Sequence, residues 1–260
     1  MPLFGICAPP EMSELARSAG WDFIEGNVQQ LFQGLAPDEQ WTGQQRIAAS
    51  RLPMPSANVL VPGELKITGP SADLSRLGDY MGNVIRRAGT CGTTTLVFGS
   101  GAARHVPDGF DRTRARQQII DFASMAARIA QEHGVTLVCE PLNRGECNII
   151  NSVAEAMEYV RAVNHPHFQC LVDSFHFWLE QEPLANLQAA MPWIRHVHVA
   201  DRDGRTAPGV SGTSDYVPFF AVLKRGGYDG RIAVEAPGFS DSPGSFASVL
   251  AYLRDAWNRA

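Results

Sequence analysis

The sequence has no uninterrupted apolar run that approaches the ~18 residues of a membrane-spanning helix. Its apolar opening over residues 3–8 lacks the basic region and the length of a signal peptide. Both absences argue against a membrane span and against export. We therefore expect no membrane partner and a cytoplasmic location.

Cysteine is scarce, and neither sign of charge dominates strongly. The five cysteines are odd in number, widely spaced and without a C-x-x-C pair, which argues against a disulfide framework and against a thiolate zinc site. The 22 Lys and Arg and the 27 Asp and Glu give a net charge of −5, and no basic run is present that could follow a phosphate backbone. We therefore expect a reducing compartment and no nucleic-acid partner.

The remaining composition is that of a protein with a substantial core. Hydrophobic residues make up 45% of the chain and charged residues 19%, against about 25% in an average globular protein. Short apolar or β-branched runs bounded by turn residues predict eight strands, at residues 3–7, 22–25, 55–60, 95–98, 136–140, 168–173, 196–200 and 231–235. Helical periodicity predicts helices at residues 11–19, 39–50, 74–88, 113–132, 153–163, 217–225 and 246–257, with a weaker one at 184–190.

The alternation of strands and helices predicts a parallel sheet covered by helices, either closed or open. Eight such units in about 250 residues favour a (β/α)8 TIM barrel, formed by residues 1–260 as a single domain. An open dinucleotide-binding sheet would carry G-x-G-x-x-G after its first strand, but this stretch reads Gly5-Ile-Cys-Ala-Pro-Pro. Ser152 and Glu155 have the spacing of a capping box at the start of a predicted helix.

Polar side chains that could bind a metal end four consecutive predicted strands. In a barrel the active site lies at the carboxyl ends of the strands, so these side chains can meet at one point. They are Glu140, Asp173, His198 and Glu235. Each alone has an ordinary structural explanation, but all four at one level favour a single metal site. Three carboxylates and one imidazole suit Mn²⁺, Mg²⁺ or Co²⁺, with Zn²⁺ as an alternative.

Such a site predicts chemistry on a small hydroxy-ketone. Four protein ligands leave two octahedral positions open for adjacent substrate oxygens, where a cation would stabilise an enediolate. Glu140 and Glu235 are also the predicted catalytic residues, because each can exchange a proton with carbon from a different side. Glu25 and Asn58 lie at the same level of strands two and three, and we interpret both as structural.

These motifs resemble the xylose-isomerase-like TIM-barrel superfamily, and within it the D-tagatose/D-psicose 3-epimerases and hydroxypyruvate isomerases. The resemblance spans roughly residues 135–238 and rests on Glu140-Pro-Leu-Asn-Arg-Gly-Glu146, Asp173-Ser-Phe-His176, His196-Val-His198 and Val234-Glu235. It implies the same four metal ligands and the same acid/base pair. It further implies that Glu146 and His176 bind one end of the substrate, and that the protein forms a homo-oligomer, as many relatives do.

One departure from this family concerns an arginine that binds a substrate oxygen. The epimerases carry it six residues after the strand-seven histidine, where this chain has Gly204, and Arg205 would serve after a one-residue shift of the loop. We therefore expect a metal-dependent isomerase or epimerase with a small sugar or hydroxy-keto substrate. An inosose-type dehydratase, an endonuclease IV-like phosphodiesterase and a non-catalytic sugar-binding barrel remain as alternatives.

Overall fold

Eight parallel strands close into a barrel in sequence order, in a computed structural model that describes residues 1–260. The strands are β1 (Leu3–Cys7), β2 (Phe23–Asn27), β3 (Ser56–Asn58), β4 (Thr95–Phe98), β5 (Thr136–Cys139), β6 (Phe168–Asp173), β7 (Ile194–Val199) and β8 (Arg231–Val234). The strand β1 pairs with both β2 and β8, which closes the sheet. The predicted (β/α)8 barrel is therefore confirmed.

Eleven α-helices connect or flank these strands. They are α1 (Ser13–Ser18), α2 (Val28–Leu31), α3 (Gly43–Ala48), α4 (Leu74–Thr90), α5 (Gly101–Arg104), α6 (Arg112–Glu132), α7 (Val153–Val163), α8 (Ser174–Leu179), α9 (Leu184–Ala190), α10 (Tyr216–Arg225) and α11 (Phe246–Arg259). Short 3-10 turns lie at Pro10–Met12, Asp38–Gln40, Met191–Trp193, Phe239–Asp241 and Pro243–Ser245. None of the helices combines the length and the apolar character that crossing a membrane requires.

Side-chain caps fix where the longer helices begin. Asp73 and Asp111 accept hydrogen bonds from backbone N–H groups in the first turns of α4 and α6. Ser152 Oγ accepts from Glu155 N at 3.0 Å, as the capping box predicts. The Glu155 carboxylate, however, accepts from the N–H groups of Ile150 and Asn151 rather than from that of Ser152.

Two predicted elements are shorter in the structure. The helix predicted over 39–50 is interrupted because Trp41 is extended, with ψ 109°, and donates its indole N–H to the carbonyl of Leu31 at 2.7 Å. The strand predicted over 55–60 ends at Asn58, because Val59 adopts the left-handed φ of 58°. The short helices α2, α5 and α8 were not predicted.

The strands alternate between the helical layer and the interior of the barrel. Val97, Val138 and Leu171 form a small buried cluster of their own, separate from the larger core beneath the helices. Because residues two apart on a strand share a face, Glu140 and Asp173 project from the same face, one step toward the carboxyl end. The polar residues at the strand ends therefore lie one step above the buried apolar cluster of Val97, Val138 and Leu171.

Candidate metal centre and active site

The four predicted ligands converge at the carboxyl end of the barrel. Each offers one ligand atom, and these atoms all lie within 4.8 Å of one another; we call Glu140, Asp173, His198 and Glu235 the quartet. Neighbouring strands bring them together, since Asp173 and His198 are register partners in β6 and β7. His198 Nδ1 lies 3.1 Å from Glu140 Oε1 and 3.2 Å from Glu235 Oε2.

Arg205 extends from the β7–α10 loop to the quartet. Its Nη2 donates to Glu235 Oε2 at 2.7 Å and to Asp173 Oδ2 at 3.4 Å. Gly204 and Arg205 both have left-handed φ values, of 75° and 50°, and this turn aims the guanidinium inward. Arg202, the other arginine beside Gly204, is exposed and pairs with Asp203 instead. The structure thus places the Arg205 guanidinium in contact with the quartet.

Burial and the neighbouring charges shift the pKa values of the two glutamates in opposite directions. Burial raises the pKa of Glu140, and the nearby Glu235 carboxylate raises it further. Burial also opposes ionisation of Glu235, but the charges of His198 and Arg205 outweigh it and hold the pKa of Glu235 at about 2. Burial raises the pKa of Asp173 to about 6. The pKa values of the two glutamates are therefore shifted in opposite directions.

The donor set and the space around it fit a divalent cation. Three carboxylates and one imidazole nitrogen are hard or borderline ligands of the kind that Mg²⁺, Mn²⁺, Co²⁺ and Zn²⁺ accept. Gly99, just after β4, leaves room for the Glu140 carboxylate, because a Cβ at that position would lie 2.3 Å from Glu140 Oε2. The quartet is thus a group of acidic and histidine side chains able to hold a metal ion.

The structure places the two other predicted substrate-binding residues beside the quartet. His176 is buried in α8, and its Nδ1 accepts a hydrogen bond from the backbone N–H of Asn143 at 3.1 Å. Its Nε2 has no hydrogen-bond partner and lies 3.7 Å from Asp173 Oδ2. Glu146 is more exposed and accepts from Asn143 Nδ2 at 2.9 Å and from Arg205 Nη1 at 3.3 Å.

Two residues interpreted as structural contact the quartet directly. Asn58 donates from Nδ2 to Glu235 Oε1 at 2.6 Å. Glu25 Oε1 lies 2.8 Å from His198 Nε2, and Glu25 Oε2 lies 2.5 Å from His196 Nε2. His196 was not among the predicted site residues. Its spacing of two from His198 places both rings on one face of β7, and this spacing could have predicted that His196 lies near the site.

A cavity at the β1–β3 side of the quartet extends the site. Its volume is about 230 Å³, and it is lined by Cys7, Ala8, Pro9, Pro10, Glu25, Asn27, Gln30, Leu31, Asn58 and Val59. Across the barrel mouth, the Phe175 ring lies under the Arg205 guanidinium, 4.8 Å from ring centroid to Cζ. Phe177 and Trp178 instead pack against Phe219 of α10. The site therefore has a polar cavity on one side and an aromatic–cationic wall on the other.

Fold and site together define a TIM barrel with a buried carboxylate–imidazole cluster at the carboxyl ends of its strands. The family model described as "Xylose isomerase-like TIM barrel" matches residues 13–256, and the chain belongs to this family. The resemblance drawn from the sequence is therefore confirmed.

Individual relatives are sugar epimerases. The chain is 31% identical over 141 residues to 3-dehydro-D-guloside 4-epimerase of Escherichia coli K12, a match covering 54% of this chain and 53% of that protein. It is 27% identical over 271 residues to L-ribulose-5-phosphate 3-epimerase of Salmonella paratyphi C, covering 96% and 88%. The crystal structure of D-psicose 3-epimerase with D-tagatose from Clostridium cellulolyticum H10 aligns with a TM-score of 0.84 at 17% identity, covering 98% and 99%. The chain spans about half the length of several curated relatives that it matches.

Proposed function

We propose that this protein is a divalent-metal-dependent sugar isomerase or epimerase that moves a proton on a small ketose or hydroxy-keto acid through an enediolate. The observation that carries the proposal is the convergence of Glu140, Asp173, His198 and Glu235 at the carboxyl end of the barrel, where all four ligand atoms lie within 4.8 Å of one another. A metal site that contains two glutamates can provide both a cation for the substrate's oxygens and an acid/base pair. The names of the relatives, sugar epimerases and hydroxypyruvate isomerase, support the same reaction class.

The quartet would hold the cation: Glu140, Asp173, His198 and Glu235 as ligands, with Mn²⁺, Mg²⁺ or Co²⁺ favoured and Zn²⁺ as the alternative. When bound, such a cation would supply Lewis-acid stabilisation of negative charge on the substrate's carbonyl oxygen. Glu140, Asp173 and His198 are buried and Glu235 is half-buried, and this limited access to water strengthens the charge interactions among them.

The two glutamates divide the proton transfer. One glutamate removes the proton from the carbon next to the carbonyl, and the other delivers a proton from its own side; Glu235, whose pKa is lowered by His198 and Arg205, is the proposed base. Asn58 holds one oxygen of Glu235 at 2.6 Å, so that the other oxygen faces His198 and Arg205. Proton delivery to the opposite face of the same carbon gives epimerisation, and delivery to the neighbouring carbon gives isomerisation.

Two further residues bind the substrate's oxygens, and a third orients one of them. A neutral imidazole carries one N–H, and because His176 Nδ1 already accepts from Asn143 N, the proton lies on Nε2. That buried and unpartnered N–H is a free donor for a substrate oxygen. Arg205 supplies the cationic donor for developing negative charge, and Glu146 accepts from Arg205 and orients it.

The cavity at the β1–β3 side accommodates the far end of the substrate. Its polar lining consists mainly of the carboxamides of Asn27, Gln30 and Asn58, and no lysine or arginine lines it. A phosphate group is usually bound by arginine, lysine or clustered backbone N–H groups. We therefore propose an unphosphorylated, polyhydroxyl substrate.

Proton NMR in D₂O tests the proposal. Chelator-treated protein is reloaded with Mn²⁺, Mg²⁺ or Co²⁺ and incubated with fructose, psicose, tagatose or hydroxypyruvate, each ketose also as its phosphate ester. The metal is removed again before spectra are recorded. We expect metal-dependent incorporation of deuterium next to the carbonyl, faster for the free sugar than for its ester.

Matched variants identify the residues responsible. Glu235→Gln should abolish the exchange, whereas Glu132→Gln, the same change at an exposed position in α6, should leave it intact. Absence of exchange with every compound despite a bound cation would refute the reaction class. Absence of any bound cation would refute the metal site. Faster exchange with the esters would refute only the unphosphorylated substrate.

A further inference from the structure

A further carboxylate, outside the quartet, is buried next to it. Glu25 at β2 is 1% exposed and makes three contacts with side chains of other strands. These contacts are to His198 Nε2 at 2.8 Å, to His196 Nε2 at 2.5 Å and to Ser56 Oγ at 2.7 Å. Burying an anion is unfavourable unless hydrogen bonds compensate it, and here β7 provides two of the contacts and β3 the third.

The contact with Glu25 determines which nitrogen of His198 faces the quartet. A neutral imidazole has one N–H and one lone pair, and the nitrogen that binds a cation supplies the lone pair. With Nδ1 directed to the quartet, the N–H would lie on Nε2, where Glu25 Oε1 accepts it. Nδ1 itself lies 3.1 Å from Glu140 Oε1 and 3.2 Å from Glu235 Oε2, among the other ligand atoms.

The second oxygen of Glu25 is held from two sides. His196 Nε2 and Ser56 Oγ both contact Oε2, which leaves Oε1 for His198. The His196 ring is completely buried, and its Nδ1 has no hydrogen-bond partner, so its one polar contact in the barrel is the one with Glu25. By holding Oε2, His196 and Ser56 together fix the orientation of the Glu25 carboxylate plane.

We infer that Glu25 is a positioning residue that holds the ring and the tautomer of His198, so that Nδ1 is presented to the metal site, with His196 and Ser56 orienting Glu25 in turn. This inference rests on the proposed function, because it assigns Glu25 a role toward the cation of the quartet. Partners of this kind, behind a ligating histidine, contribute about 10–100-fold to metal affinity.

Metal affinity and the tautomer of His198 are the measurements, and neither needs substrate. Glu25→Ala removes the acceptor, Glu25→Gln restores a single acceptor oxygen, and Ser56→Ala removes one donor to Glu25 while leaving its contact with His198. Affinity is measured by competition with a chelator. The tautomer is read from ¹⁵N shifts of histidine-labelled, Zn²⁺-loaded protein, with the His198 signal assigned by its loss in His198→Gln.

We expect Glu25→Ala to weaken cation binding by about 10–100-fold and to remove the pure Nε2–H signature of His198. Glu25→Gln should recover part of the affinity, and Ser56→Ala should stay within about threefold of wild type because Oε1 of Glu25 is retained. If Glu25→Ala does not fold, Glu25→Val takes its place, since a β-branched residue suits a strand and provides no acceptor.

The outcomes separate this inference from the proposed function. Wild-type protein that binds a cation, together with a folded Glu25→Ala or Glu25→Val variant of unchanged affinity and tautomer, would overturn the inference alone. Wild-type protein that binds no divalent cation would overturn both. Loss of affinity with a changed tautomer, and partial recovery in Glu25→Gln, would establish the role.

Discussion

The space that Gly99 leaves for Glu140 gives a sharp test of the active site. A Cβ on Gly99 would lie 2.3 Å from Glu140 Oε2, whereas ordinary van der Waals contact begins at 3.4 Å. In Gly99→Ala the carboxylate oxygen must therefore move by roughly 1 Å, and a misplacement of that size costs about 100-fold in rate. We expect kcat/KM to fall by about that factor.

The fold should survive this substitution. Gly99 is not among the glycines with positive φ, and the nearest colliding atom is the end of a side chain rather than backbone. Gly82→Ala in α4 is the matched control, because a Cβ there has no neighbour within 4 Å. That control should retain full activity and gain about 0.5–1 kcal/mol of stability, since alanine favours a helix over glycine.

The assay combines rates with a structural readout. Initial rates of deuterium exchange are measured for wild type and both variants at saturating cation, and thermal unfolding is followed by circular dichroism. Wild-type kcat/KM in a folded Gly99→Ala protein would show that the position of the Glu140 carboxylate does not limit turnover. A fall of equal size in Gly82→Ala would point to a general effect of the added methyl group.

Three further predictions concern proton transfer, pH and stability. Glu140→Gln should lower the exchange rate at least about 100-fold with little change in Tm, and near wild-type exchange by NMR would contradict its acid/base role. Burial raises the pKa of Asp173 to about 6, so its carboxyl is protonated below that pH and a cation must displace the proton. Affinity measured by calorimetry should therefore rise up to about tenfold per pH unit as the pH approaches 6; a flat profile would contradict this. Buried Arg104 donates to the carbonyls of Phe98 at 3.0 Å and Glu140 at 2.8 Å. Arg104→Met should cost about 3 kcal/mol, or roughly 6–12 °C in Tm, and an unchanged melting curve would exclude that role.

The alternation of strands and helices around the barrel could be predicted from the sequence. The strands β1, β4 and β6 and the helix α7 have the predicted bounds, because turn residues and clear periodicity mark both of their ends. The weakly patterned helix α9 also has the predicted bounds. Departures occur where one residue adopts an unusual conformation. Val59 is an example, since a β-branched side chain rarely adopts a positive φ and nothing in its neighbours indicates that the strand ends there.

The candidate site could be predicted from the sequence only in part. Local sequence patterns place each quartet residue at the end of a strand, but they do not encode contacts between distant strands. The contacts of Glu25 with His196 and His198 join β2 to β7 across the barrel, and such contacts depend on how the closed strands are staggered, which no local pattern encodes. The approach of Arg205 depends on two successive left-handed residues in its loop, which the sequence does not specify.

The contacts of Arg205 bear on how the protein behaves when no cation is available. Its guanidinium contacts both Asp173 and Glu235, so a side chain of the protein itself compensates part of the negative charge at the mouth of the barrel. We therefore expect chelator-treated protein to keep its fold and to take up a cation again. A cation held by the quartet would compete with Arg205 for these two carboxylates, and the released guanidinium would be free to bind a substrate oxygen.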